Sequence, residues 1–282
     1  MKKRFFTPSL IVLLTSLLVF SCGEKEDEVS GQDVSSAADY SYSQKEFDDI
    51  LKVGLDAFDA NNLKSSGSCP SISFVGSDSL IIDFGPGCTY NNRARSGKIK
   101  IQYSGKYNEK GSVIKFSLDN YYVNGNHIEG EKTVTNITDT LPTWTIKVVD
   151  GKITFEGQKV SYWNSERVRT FVAGSGSTTI LADDEYSVTG TATGISRDGE
   201  AYTALITKPL VYYVSCLFID KSLVYPVTGI VDITPEGKLT RTFDFGSKED
   251  CDKISNITIA GKKTSSFTSL KSGKLEVESI KF

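Results

Sequence analysis

The chain has 282 residues, a net charge of −3 and 39% hydrophobic residues. That length buries a sizeable core, in one large β domain or two small ones. The excess of acids argues against a nucleic-acid partner, because surfaces that bind nucleic acid are basic. Many Phe, Tyr, Ser and Thr with a single Met make a β-rich composition.

Lys2, Lys3 and Arg4 precede an apolar stretch from Leu10 to Phe20. The stretch is too short to span a bilayer, which takes about 20 apolar residues. A basic start, a short apolar run and a small residue before a cut site describe an export signal over residues 1–21. The stretch Val19-Phe20-Ser21-Cys22 resembles the lipobox of bacterial lipoproteins, with Val where Leu is usual. The resemblance implies that Cys22 is diacylated, with palmitate-type chains, and becomes the lipid anchor. Each buried methylene contributes about 0.8 kcal/mol, so several chains hold stably. Lys25-Glu26-Asp27 resembles the export signal that sends Bacteroidetes lipoproteins to the outer face of the outer membrane. A surface-facing orientation is therefore expected in preference to a periplasm-facing one.

Residues 22–42 are rich in Ser, Gly, Ala and acids without periodicity, and read as a flexible acidic tether. A helix is expected over 44–61. Ser43 and Glu46 fit a capping box, and Phe47, Ile50, Leu51, Leu55 and Phe58 fall on one face. It is expected to cover an open face or end of a sheet. The β-rich domain spans 43–282, with a candidate sub-division near 180–205.

From residue 70 onward the pattern is strands. Ile99, Ile101 and Tyr103 alternate with polar residues, as do Ile114, Phe116 and Leu118, and Trp144, Ile146 and Val148. Asn124-Gly125, Asp150-Gly151 and Asp198-Gly199 suit two-residue hairpins, and Lys110-Gly111 and Pro235-Glu236-Gly237 longer ones. The run Leu210–Ile219 is apolar on both faces and reads as a doubly covered strand. The fold class is all-β with one N-terminal helix: an antiparallel meander of hairpins forming a β-sandwich or a strongly curved sheet.

Beyond Cys22 the chain holds Cys69, Cys88, Cys216 and Cys251. An even number in an exported chain points to disulfides. Cys69 and Cys88 bracket one expected hairpin, and Cys216 and Cys251 flank another, so the pairing 69–88 and 216–251 is expected. No Cys-x-x-Cys occurs and the single histidine, His127, is remote from every cysteine in sequence, so no metal or other cofactor is expected.

Ile82-Asp83-Phe84-Gly85-Pro86-Gly87-Cys88 is echoed by Phe243-Asp244-Phe245-Gly246 leading to Cys251. Both read as strand, Asp-Phe-Gly corner, cysteine, strand. These motifs, with Arg95-Ser96-Gly97-Lys98, Tyr121-Tyr122-Val123-Asn124-Gly125 and Ile257-Thr258-Ile259, resemble a family of β-rich outer-membrane lipoproteins of Bacteroidetes. The likeness covers most of 69–262. It implies a fold and a location, and no activity.

No constellation singles out an active site. Asp83-Phe84-Gly85 lacks the rest of a kinase signature. His127 has no evident nucleophile, and Asp183-Asp184-Glu185 lacks the remaining ligands of a calcium loop. Tyr121, Tyr122 and Trp163 are candidate aromatics for stacking on sugar rings, since adjacent strand residues face opposite ways. Asp78-Ser79-Leu80 and Asp139-Thr140-Leu141 resemble a short Bacteroidetes O-glycosylation motif, with Ser79 and Thr140 as acceptors. The expected function is a membrane-anchored, non-catalytic binding or structural module with a glycan or protein partner. A lipid or lipoprotein carrier built as a half-barrel is the alternative, then a glycan-active hydrolase.

Overall fold

The computed structural model describes residues 34–59, 69–174, 183–219, 225–246, 251, 255–259, 262–271 and 274–278. Helix α1 (Ser35–Asp59) is followed by β1 (Ser71–Val75), β2 (Ser79–Asp83), β3 (Cys88–Tyr90), β4 (Arg93–Tyr103), β5 (Val113–Val123), β6 (Asn126–Asn136) and β7 (Thr143–Thr154). Then come β8 (Val160–Ala173), β9 (Glu185–Ile195), β10 (Ala201–Tyr213), the short helix α2 (Val214–Ile219), β11 (Thr228–Pro235), β12 (Arg241–Asp244), β13 (Ser255–Ile259), β14 (Lys262–Lys271) and β15 (Lys274–Glu278). The strands form one open, antiparallel, fifteen-stranded sheet in chain order, with β2 and β3 both pairing β4. The all-β meander with one long N-terminal helix is thus as expected. The sheet runs without a break through β8, β9 and β10.

The burial of α1 decides between a sandwich and a curved sheet. No residue from Ser35 to Phe58 is exposed. A helix covering a sheet face keeps one side in water; this one has none, because the sheet curls around it. Strands β4 and β7 to β11 approach it, and β5 and β6 reach it through Phe116 beside Gly54 and Lys132 on the Phe47 carbonyl. Leu80, Ile82, Ile99, Ile101, Phe116, Ile128, Val134, Val231 and Ile233 are all buried in the core that includes α1.

The helix also begins earlier than its apolar periodicity indicates. Residues 35–42, read as the end of a tether, are its first turns, and Ser36, Asp39 and Ser43 are fully buried. The predicted cap at Ser43 therefore lies inside the helix.

Bulges supply the curvature. Register shifts set Asn120 and Tyr121 of β5 against the single Gly97 of β4, and give β7 an extra residue around Asp150 against both Gly130 of β6 and Asn164 of β8, which bends the bulged strands and increases their twist. Asp150-Gly151 is therefore not a hairpin turn. Asp150 has the positive φ of 53° that a turn would use, but β7 continues past it with β6 and β8 on either side. The β7–β8 reversal comes at 155–159, closed by Phe155 N–H to the Lys159 carbonyl at 2.8 Å. Gly151 admits the helix, since a Cβ there would stand 3.2 Å from the Phe47 ring and 2.3 Å from the Trp163 carbonyl.

Leu210–Ile219 divides in two. β10 ends at Tyr213, opposite Glu185, the first residue of β9. Val214 N–H still reaches the Asp184 carbonyl at 3.0 Å, and the chain turns into α2, where Phe218 and Ile219 are 68% and 72% exposed.

The cysteines pair as expected, Cys69 with Cys88 and Cys216 with Cys251, at Cα–Cα distances of 6.3 and 5.3 Å. The two Asp-Phe-Gly corners share one geometry. The Asp83 and Asp244 carboxylates accept the N–H of Gly85 and Gly246, at 2.8 and 2.9 Å, and Phe84 and Phe245 are buried.

Gly97 has φ +77° and its Cβ would lie 1.9 Å from the Asn120 carbonyl. Gly97→Ala is expected to cost about 2–4 kcal/mol in urea unfolding. Gly237→Ala, at φ +70° in open space, is expected to cost about 1 kcal/mol. Equal losses would show that close approach at the bulge is not what Gly97 provides.

Candidate functional site

Burying a polar helix requires partners, since an unpaired buried charge costs several kcal/mol. The concave wall supplies them. Asp39, Glu46 and Asp49 are spaced at seven and three residues and share one face of α1. Arg95 grips Asp49 with two bonds, Nη1–Oδ2 at 2.6 Å and Nη2–Oδ1 at 3.0 Å. Arg93 donates to Asp49 at 2.9 Å and also bonds Glu46. Arg95 donates further to the Tyr121 hydroxyl at 2.6 Å. Two turns earlier, Asp39 accepts the Arg197 Nε at 2.7 Å and its backbone N–H at 2.6 Å. The planar guanidinium suits these sites because it pairs with a carboxylate through two parallel bonds.

Charge states follow the surroundings. Burial alone would raise the Asp49 carboxyl, but the Arg95 and Arg93 guanidiniums outweigh it and hold it below the usual carboxylate range. Asp39 moves up, because its desolvation outweighs its one arginine. Lys132 donates to the Phe47 carbonyl at 2.6 Å and lies 3.7 Å from Asp48; burial pushes its amine down to about 8.

The opposite side of α1 is less enclosed. Asp48, Leu51, Lys52, Leu55 and Asp56 follow helical spacing and line one wall of a cavity of about 500 Å³. Arg167 and Arg169 of β8, which share a strand face, line it too, with Val188 and Tyr186 of β9 and Leu217 and Phe218 of α2. Six of the lining residues are tyrosines. Among the described residues, both wall carboxylates are engaged. Asp48 accepts the Tyr212 hydroxyl at 3.0 Å, and Asp56 pairs with Lys52 at 2.6 Å and accepts Asn91 at 3.2 Å. Arg167 bonds the Tyr40 hydroxyl at 3.0 Å and Gln44 at 3.2 Å, and its Nε is left without a partner. Arg169 stacks on the Tyr186 ring at 3.7 Å. Tyr107 stacks on Trp144 at 4.7 Å, and its buried hydroxyl has no partner. A chamber of this size with apolar walls and a few polar groups suits a small ligand.

The sequence-derived candidates fall elsewhere. Cys22 lies outside the described residues. Tyr121 is fully buried and held by Arg95, and Trp163 is buried against Phe47 at 5.4 Å. Neither can stack on a ligand at the surface. Tyr122 is 37% exposed and already stacks on His127 at 4.4 Å. Ser79 begins β2 with its hydroxyl donating to Asp78 at 3.0 Å, and Thr140 is exposed in the β6–β7 loop. Among the described residues, no cluster of three or more His, Cys, Asp or Glu could hold a metal ion. Alternation along β8 does place Arg167 inward and Val168 outward. This is the reverse of what their polarity indicates, so the sequence held no signal for the cavity arginines.

No protein-family model, curated protein or solved structure matches the chain.

Asp49→Asn leaves two buried guanidiniums short of a counter-charge and is expected to cost about 3–5 kcal/mol in urea unfolding. A loss below about 1 kcal/mol would show that α1 is not clamped by this pair. Lys132 titrates near 8 when folded and near 10.4 when unfolded. Its burial penalty is thus full below about pH 8 and relieved as pH rises from 8 to 10.4, where the unfolded chain binds more protons. Wild type is expected to gain on the order of 2 kcal/mol relative to Lys132→Met across that range. A constant difference between the two unfolding curves would contradict the burial of a charged amine.

Proposed function

We propose that the protein is a lipid-anchored outer-membrane module, facing outward, that binds a small ligand in the cavity beside α1 and performs no catalysis. The observation that carries this reading is the cavity of about 500 Å³ beside α1. The anchor reading rests on the export signal and Cys22. The engaged state of Asp48 and Asp56 favours binding over hydrolysis, since both carboxylates in the wall already serve as hydrogen-bond acceptors. A carrier of apolar cargo is the second reading, favoured by Phe218, which lines the cavity and is 68% exposed. A large apolar side chain in water at a cavity mouth suits a site that admits an apolar molecule.

Cys22→Ala is expected to move the protein from the membrane to the soluble fraction, and protease added to intact cells is expected to degrade the wild type. Retention of the variant in the membrane would contradict the anchor, and protection of the wild type would contradict the outward orientation. The cavity is tested with N-phenyl-1-naphthylamine, a neutral apolar fluorophore. The wild type is expected to bind it saturably at one site. Leu55→Trp, which fills the cavity, is expected to abolish that binding while keeping the far-ultraviolet dichroism of the sheet. Undiminished binding by a folded Leu55→Trp would overturn the reading.

A further inference from the structure

We propose that the cavity selects an organic anion with an apolar body, its charged end held by Arg169 and Arg167. This rests on the reading of the cavity as a ligand site and adds the class of ligand. The inference begins from an imbalance in the wall. Asp48 and Asp56 are satisfied by Tyr212 and by Lys52 and Asn91. Neither Arg167 nor Arg169 makes a direct ion pair with a carboxylate among the described residues, and Asp48 acts on Arg167 only at longer range. Arg167 is 3% exposed, bonds only the neutral oxygens of Tyr40 and Gln44, and keeps a free Nε. A buried cation with no anion in direct contact is costly, and a bound anion would relieve that cost.

Arg169 is placed to receive that anion. It is half-buried, and its guanidinium lies 3.7 Å from the Tyr186 ring centre. Stacking on the ring fixes the plane and leaves the N–H edges open, the geometry that captures a carboxylate through two bonds. The buried, unpartnered Tyr107 hydroxyl is a further donor in the same wall. Away from Asp48, Asp56 and their partners Lys52 and Asn91, the lining is Leu51, Leu55, Ile146, Val188, Val214, Leu217 and Phe218, with tyrosine rings. Those side chains offer nothing to a second charge and much to a hydrocarbon or ring.

Three probes separate the parts of the proposal: dodecanoate, dodecanol and glucuronate, titrated into the full chain while tryptophan emission is followed. Both tryptophans lie near the cavity walls, Trp144 under Tyr107 and Trp163 beside Arg167. Dodecanoate is expected to bind about tenfold or more tighter than dodecanol, the preference a charge-assisted bond confers. Glucuronate, an anion without an apolar body, is expected not to bind. Arg169→Met is expected to remove the preference and leave dodecanol binding unchanged. Tyr107→Phe, which keeps the ring stacked, is expected to weaken dodecanoate alone. Equal binding of dodecanoate and dodecanol by the wild type would overturn the anion selectivity while the ligand site stood. Tight binding of glucuronate would overturn the apolar body. Failure of both dodecyl probes and of the neutral fluorophore would overturn the ligand site itself.

Discussion

The structure depends on the ion pairs that hold a polar helix inside a curled sheet. Helix α1 carries Asp39, Glu46 and Asp49 into the interior, and Arg197, Arg93 and Arg95 meet them there. Such pairs contribute little over a well-packed apolar substitute, but removing one partner is severe. Their effect is on register. Sliding α1 by one turn, about 5.4 Å, would unpair Asp39 and Asp49 together. Only one axial position satisfies the whole wall. The sheet curls around that position, with bulges opposite Gly97 and at Asp150 setting the curvature.

Curvature in turn creates the cavity. A sheet wrapped on a helix packs tightly where side chains interdigitate, as Phe47 does against Trp163 and Gly151. On the side of Asp48, Lys52 and Leu55 the wall stands off, and tyrosines line the gap instead. The same helix thus has one face committed to structure and another that lines the proposed ligand cavity. Clamping the first face keeps the second rigid, which reduces the ordering cost of binding.

Much of the fold was legible because it is local. Period-2 alternation marks the strands, Asn124-Gly125 marks the β5–β6 hairpin, and each cysteine pair brackets or flanks a hairpin. The first turns of α1 were not legible. Ser35, Ser36, Asp39 and Ser43 have the composition of a spacer, and what buries them is distant in sequence: Arg197 lies 158 residues from Asp39. Asp150-Gly151 shows the same limit differently. Positive φ serves a turn and a bulge alike, and only the pairing partners on both sides distinguish them. The cavity residues were least legible. Arg167 and Arg169 look like any charged pair on a strand, and their meaning comes from which face the sheet turns inward.

The central claim is that α1 is a core element from its first residue. Hydrogen exchange of its backbone amides tests this most directly. The account predicts that amides from Asp39 through Val53 exchange only through global unfolding, as slowly as those of the central strands β6 and β7. Rapid exchange over Asp39–Gln44, with protection confined to the apolar stretch beyond, would mean that the polar first half is a tether after all and would contradict the account.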